Sequence, residues 1–243
     1  MVRFFVQPEE LQESAPTLQG ENAAHGRVLR LKPGERVLLC DGQGMESLCR
    51  VTGVEDRLIR LETEELRLCR TEARVKVTVY MAMAKGDKLE HVIQKATELG
   101  ACRIVTFPSA RCVSRPEEKN LKGKLERWRK IAASAAEQSG RGIIPRVEVL
   151  PGYAQAIAQA AQADKAILFY ENERARTLRA ALEQGSYTTV SLVTGPEGGL
   201  EEREVEQARQ AGLEICTLGS RILRCETAPL CALSAVLYDA GEF

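Results

Sequence analysis

The strongest constraint on this chain is a rhythm. From residue 75 onward, short apolar runs alternate with helix-period segments. Val75–Met81 (VKVTVYM) reads as a strand, and Asp87 can cap a helix that places Leu89, Val92, Ile93, Ala96 and Leu99 on one face. Gly100 then closes that helix. Arg103–Pro108 is strand-like, and Glu117 to Ser139 carries a helical stripe of Leu121, Leu125, Trp128, Ile131 and Ala135. Lys165–Tyr170 and Thr188–Thr194 read as strands after alanine-rich or amphipathic segments. A helix over Glu201–Ala211, a strand over Glu214–Leu218 and a closing helix over Ala228–Ala240 follow. Strands alternating with helices predict an α/β domain with a mostly parallel sheet.

Residues 1 to about 70 have a different texture. Val2–Val6 is a β-branched and aromatic run, and Arg36–Cys40 leads into Asp41-Gly42-Gln43-Gly44, which favours a hairpin with Ser47–Val54. Arg57–Leu61 alternates polar and apolar residues. Short strands at this spacing predict a small barrel. Thr63–Arg74 has few large apolar residues and reads as a linker.

Several classes are excluded. At 243 residues, with 44% hydrophobic and 28% charged residues, the chain has a globular composition and can bury a sizeable core. It has no apolar run of membrane-spanning length. Its N-terminus, MVRFFVQPEE, turns acidic before a signal-peptide core forms. Eight cysteines (Cys40, Cys49, Cys69, Cys102, Cys112, Cys216, Cys225 and Cys231) include no C-x-x-C pair, and the histidines are His25 and His91. Reduced thiols, a cytoplasmic location and no metal are therefore expected. His91 borders the apolar stripe of its helix and reads as a surface residue.

Two junctions between a strand and a helix carry glycine. In Val193-Thr194-Gly195-Pro196-Glu197-Gly198-Gly199-Leu200, the glycines let the main chain turn sharply and approach a ligand closely, and the next helix offers free N–H groups. In Leu218-Gly219-Ser220-Arg221-Ile222-Leu223-Arg224-Cys225-Glu226-Thr227-Ala228, Thr227 can cap the last helix and Pro229 fits its first turn. Taken singly, each loop is equally compatible with a structural role, as a strand end or a surface arginine–glutamate pair. Two such loops at neighbouring strand ends suit a ligand site, because open α/β sheets bind at their carboxyl edge. The chain contains no phosphate-binding P-loop, no dinucleotide fingerprint and no nucleophile elbow.

Charge adds a second clue. The totals cancel, 34 basic against 34 acidic, which by itself argues against a polyanionic partner. The distribution is uneven: residues 103–146 carry a net +7, residues 1–72 carry −3 and residues 147–243 carry −6. Arg111, Arg115, Arg127, Arg129 and Arg141 lie in the basic block and are candidates for contacting RNA phosphates. A solvated helix face is the alternative.

TGPEGGLEEREVEQA followed by LGSRILRCETAPLCAL resembles the C-terminal signature of the RsmE family. The resemblance extends to KGDKLEHVIQKATELG, ARCVSR, ERWRKIAASAAEQSGR and HGRVLRLKPGERVLLCDGQG, and so covers nearly the whole chain in order. Members are SPOUT-class enzymes that use S-adenosyl-L-methionine to methylate N3 of a uridine in 16S rRNA of the small ribosomal subunit (1498 in the family's usual numbering). The resemblance implies a C-terminal trefoil knot, a departure from the usual absence of knots. It also implies a homodimer, a PUA-like RNA-binding barrel over residues 1–70 and a methyltransferase domain over 74–243. Cofactor contacts would come from Leu168, Tyr170, Thr194, Gly195, Pro196, Glu197, Gly198, Gly199, Leu218, Gly219, Ile222, Leu223, Arg224 and Thr227. Three departures stand out: Leu200-Glu201 replaces an aromatic–hydroxyl pair, Cys225 stands where threonine is usual, and Pro229 enters the last helix.

N3 of uridine lies on the Watson–Crick edge and bears a weakly acidic proton, so the base must be unpaired or displaced. Either a carboxylate takes that proton or a guanidinium stabilises the imide anion. Arg224 is assigned the electrostatic role, with Glu197 or Glu226 positioning the base or the arginine, and Arg141 is assigned to a phosphate. A methyltransferase acting on another RNA and a non-enzymatic RNA-binding assembly factor are the alternatives.

Overall fold

The computed structural model describes residues 1–113 and 118–243, without the side chains of residues 118 and 119. The chain divides into two units: residues 1–72 with 136–144, and residues 73–135 with 145–243.

The first unit is built on a five-stranded sheet of β1 (Val2–Phe5), β2 (Thr17–Leu18), β3 (Arg36–Cys40), β4 (Met45–Val54) and β5 (Ile59–Leu68), in the order β1-β3-β4-β5-β2. β1 and β3 run parallel and the other pairs antiparallel. Helix α1 (Gly20–Val28) follows β2. Phe4, Leu18, Val37, Leu39, Ile59 and Leu61 fill the core. The expected hairpin after Cys40 is present: Asp41 Oδ1 accepts from the amides of Gln43 at 2.7 Å and Met45 at 3.0 Å.

The expected linker over 63–74 is a different matter, because β5 runs on to Leu68. Cross-strand ion pairs replace apolar alternation there. Arg50 pairs with Glu64, and Arg67 Nε lies 2.8 Å from Glu46 Oε1. Opposite charges on facing strands stabilise a ladder as apolar pairs do, without leaving an alternating apolar pattern to read.

The second unit holds a six-stranded sheet of β6 (Lys76–Ala82), β7 (Arg103–Phe107), β8 (Arg146–Val149), β9 (Lys165–Phe169), β10 (Thr189–Thr194) and β11 (Glu214–Cys216). Its order is β11-β9-β10-β6-β7-β8 and every pairing is parallel. The α/β expectation with a mostly parallel sheet therefore holds. Helices α2 (Lys88–Leu99), α3 (Glu118–Ser139, of which residues 136–139 belong to the first unit), α4 (Tyr153–Ala160), α5 (Leu178–Leu182), α6 (Glu202–Gln210) and α7 (Thr227–Asp239) accompany it. Val77, Val79, Ile104, Ile167, Leu168 and Leu192 are fully buried, as expected for strands covered on both faces.

Gly100 takes a left-handed conformation (φ 111°) and ends α2, while Leu89, Val92, Ile93 and Ala96 are buried. His91 is exposed. In α3 the buried stripe is Trp128, Ala132, Ala135 and Ala136, whereas Leu121, Leu125 and Ile131 are half-buried. The eight cysteines are all free. Among the described residues no helix is long and apolar enough to span a membrane.

Candidate active site

Sheet order decides which loops meet. β9 lies between β10 and β11, so the chain leaving these three strands emerges along one carboxyl edge. After β10 the segment 195–200 folds back on itself. A Cβ on Gly195 would stand 3.0 Å from Leu200 Cγ and 3.3 Å from the Gly199 carbonyl carbon, so a larger residue would crowd the closed turn. Gly199 has φ +69°, which a side chain adopts only at a cost, and its amide donates to the Pro196 carbonyl at 3.0 Å. The turn runs into α6, where Glu204 Oε2 accepts from the Glu201 amide at 2.9 Å. Glu204 is buried, and its Oε1 accepts from the Ala110 amide at 2.8 Å, which ties the segment after β7 to α6.

After β11, Thr217 Oγ1 accepts from the Gly219 amide at 3.2 Å, and the Arg224 carbonyl accepts from the Thr227 and Ala228 amides at 2.9 and 3.0 Å. Ile222, between these two turns, is 78% exposed. Thr227 is the first helical residue of α7; Glu226 occupies the cap, so the expected Thr227 cap is absent. After β9, the Tyr170 amide donates to the Cys216 carbonyl at 3.1 Å. The Glu171 carboxylate lies against the Cα of Gly199.

Between these segments opens a cavity of about 460 Å³, within the usual range of small-molecule sites. Tyr170, Thr194, Gly195, Pro196, Glu197, Gly198 and Gly199 line it, as do Leu218, Gly219, Ile222, Leu223, Arg224 and Glu226. Leu168 is buried inside β9, and neither it nor Thr227 lines the cavity. The sequence reading missed Lys88, at the β6–α2 junction, and Arg174. Lys85-Gly86-Asp87 was the overlooked cue: another glycine-bearing junction between a strand and a helix.

The charges on the wall are paired. Glu197 Oε1 accepts from the Lys88 ammonium and from the Lys85 amide, each at 2.9 Å. Burial works against the Glu197 carboxylate, yet these donors outweigh it and hold its pKa below the usual range. The same carboxylate raises the pKa of Lys88. Glu226 is held low by its own backbone amide, against partial burial, and by the Cys225 thiol, which donates to Oε2 at 3.2 Å. Burial and that carboxylate push the Cys225 thiol up to about 12, so at neutral pH it is a protonated donor and no nucleophile. Arg224 is exposed, and Glu197 holds Lys88, not Arg224.

The basic block is scattered. Arg111 Nη1 donates to the Gly198 carbonyl at 3.2 Å and is otherwise exposed beside the glycine turn. Arg127 and Arg129 are exposed on α3, with Arg127 Nη2 2.6 Å from Glu90 Oε2. Arg115 lies outside the described residues. Arg141 departs from expectation. It is buried in the first unit with Nη2 2.7 Å from Glu72 Oε2, so its guanidinium is turned into the fold and not toward a phosphate. Among the described residues no cluster of His, Cys, Asp and Glu could hold a metal ion.

Residues 71–237 match the family model described as an RNA methyltransferase domain, and residues 18–64 match that of an RNA methyltransferase PUA domain. Ribosomal RNA small subunit methyltransferase E of Bacillus subtilis is 38% identical over 98% of this chain and 97% of its own. The chain belongs to the ribosomal RNA small subunit methyltransferase E (RsmE) family. The RsmE of Mycobacterium bovis is 32% identical over 96% of this chain and 90% of its own. The RsmE of Neisseria gonorrhoeae, solved bound to S-adenosyl methionine, superposes with a TM-score of 0.85 at 33% identity, covering 98% of this chain and 97% of that one.

Proposed function

We propose that this RsmE-family chain transfers a methyl group from S-adenosyl-L-methionine to N3 of a specific uridine of 16S rRNA in the small ribosomal subunit. The cavity at the carboxyl edge of β9, β10 and β11 carries this reading. It joins bare backbone at Gly195, Gly198 and Gly199, apolar surface at Ile222 and Leu223, and carboxylates at Glu171 and Glu226. That donor set fits the cofactor: backbone groups for its polar edge, apolar side chains for its base and a carboxylate for its ribose hydroxyls. When bound, the cofactor supplies an electrophilic methyl group on a positively charged sulfur.

The chain's residues have separable tasks. Tyr170, Thr194, Pro196, Leu218, Gly219 and the glycines hold the cofactor, with Leu168 and Thr227 supporting them from behind the wall. Arg224, at the exposed rim, stabilises the imide anion as the N3 proton leaves to water, and Glu226 orders this rim. Arg111, Arg127 and Arg129 contact RNA phosphates. Residues 1–70 are the RNA-binding barrel, and residues 74–243 form the catalytic domain with a C-terminal trefoil knot. The enzyme works as a homodimer in the cytoplasm.

The test uses small subunits from a strain that lacks the methyl mark, incubated with protein and labelled cofactor and then digested to nucleosides. Label in 3-methyluridine is expected, and Arg224→Ala should slow its formation. Label in another nucleoside, or none, overturns the proposal.

A further inference from the structure

The sequence places a cation where helix electrostatics disfavour it. Lys88 is the first residue of α2, at the positive end of the helix dipole. Its ammonium nevertheless lines the cavity, 2.9 Å from Glu197 Oε1 on the glycine turn after β10. Among the described residues Glu197 is the one acceptor for Lys88 Nζ, so two N–H donors remain to be offered. The lysine side chain is 29% exposed. It is neither sealed in as a structural pair nor loose in solvent. Glu226 and the Cys225 thiol also act on its charge, and Cys225 stays protonated; Glu171, Arg174, Arg221 and Arg224 line the same cavity.

A lysine in this setting keeps its proton. Glu197 favours the ammonium, so Lys88 cannot serve as the base that removes the N3 proton. What it can do is donate to an oxygen on which negative charge grows, from a position fixed before the reaction starts. Loss of the N3 proton places negative charge on both carbonyl oxygens flanking N3.

We propose that Lys88 is a catalytic residue: held at the cavity wall by Glu197, it donates to a uracil carbonyl beside N3 and stabilises the imide anion. Glu197 is then a positioning residue that acts through Lys88 and not through Arg224. This rests on the function proposed above. The N3–H bond breaks and its proton passes to water; the pair left on N3 forms the N–CH3 bond, while the sulfur keeps the pair of the broken S–CH3 bond. Lys88 ends the cycle as it began, protonated.

The experiment measures methyl transfer to small subunits lacking the mark, across pH, for wild type, Lys88→Met and Glu197→Gln. Cofactor affinity is measured by titration calorimetry on the same samples, and thermal unfolding confirms that each variant is folded. Lys88→Met should lower kcat about 100- to 1,000-fold at neutral pH, with KM for the subunit and cofactor Kd within about threefold. Its deficit should narrow as pH rises, because hydroxide then removes the proton without help. Glu197→Gln should give a smaller kcat loss with the same pH trend. An unchanged kcat in Lys88→Met, or a loss confined to KM or cofactor Kd, overturns the role of Lys88 alone. Failure of wild type to form 3-methyluridine overturns the underlying reading instead, and the assignment of Lys88 with it.

Discussion

Arg141 and Glu72 form a buried ion pair in which one carboxylate anchors a whole segment. Arg141 Nη2 lies 2.7 Å from Glu72 Oε2, while Oε1 accepts from the amides of Gly142 and Ile143 at 3.0 Å. The Thr71 hydroxyl adds a hydrogen bond to the Gly140 carbonyl at 2.8 Å. Residues 140–143, part of the first unit, are thereby fastened to Thr71 and Glu72 through polar contacts, and the Arg141–Glu72 pair among them is shielded from solvent. Glu72→Gln would leave the guanidinium without its counter-charge, and removing one partner of a buried pair costs about 3 kcal/mol or more. A fall in Tm of about 6–12 °C is expected for a chain of this size, read by calorimetric unfolding. A variant that melts with wild type would show the pair to be dispensable.

Gly199 illustrates a different constraint. Its φ of +69° carries a penalty of about 1–2 kcal/mol for any side chain. A Cβ would also approach Glu171 Oε1 to 2.2 Å and drive that flexible carboxylate out of place. Gly199→Ala should weaken cofactor binding about tenfold or more in titration calorimetry. Unchanged affinity would mean that the turn does not shape the cofactor site.

Asp164 gives a signature in acid. Its Oδ2 accepts from the Thr188 amide at 2.8 Å, and from the Thr188 hydroxyl and the Thr189 amide at 2.9 Å. These donors, Thr188's amide first, lower its pKa to about 2. A lowered carboxylate pKa stabilises the fold fully above the unfolded value of about 4 and loses that contribution as pH falls toward 2. Asp164→Asn should therefore lower the urea midpoint at pH 7, with the gap to wild type closing between pH 4 and pH 2. A gap independent of pH would show that the carboxylate's charge contributes nothing.

What was legible in the sequence followed from local chemistry. The glycine turn at 195–199, the α2 stop at Gly100 and the Asp41 hairpin were readable because one residue's conformational needs define each. β5 was half missed because ion pairs such as Arg67–Glu46 stabilise it in place of apolar alternation. Helix α1 was missed because Gly20–Val28 holds two glycines and buries only Ala23 and Gly26. Arg141 read as surface because it falls within the net-basic segment 103–146 and beside two glycines, while its partner Glu72 lies 69 residues away. Lys88 escaped for the same reason: its significance comes from Glu197, 109 residues on, and the strand order that brings them together is not a local property.

Salt dependence of RNA binding separates the remaining arginines. Removing one arginine–phosphate interaction should flatten the slope of log K against log salt by about 0.7–0.9. Arg129 is exposed on α3 with no ion pair among the described residues, whereas Arg127 must first leave Glu90, 2.6 Å away. That exposed pair is worth at most about 1 kcal/mol, so Arg127 remains recruitable but gains less on binding. Arg129→Ala should thus reduce affinity for the small subunit more than Arg127→Ala, and both should flatten the slope. Glu90→Gln, by releasing Arg127, should tighten binding slightly and leave the slope steep. If neither arginine variant moves the slope, the basic face of α3 is only solvated surface, and phosphate binding must be sought beside the cavity, where Arg111 meets Gly198.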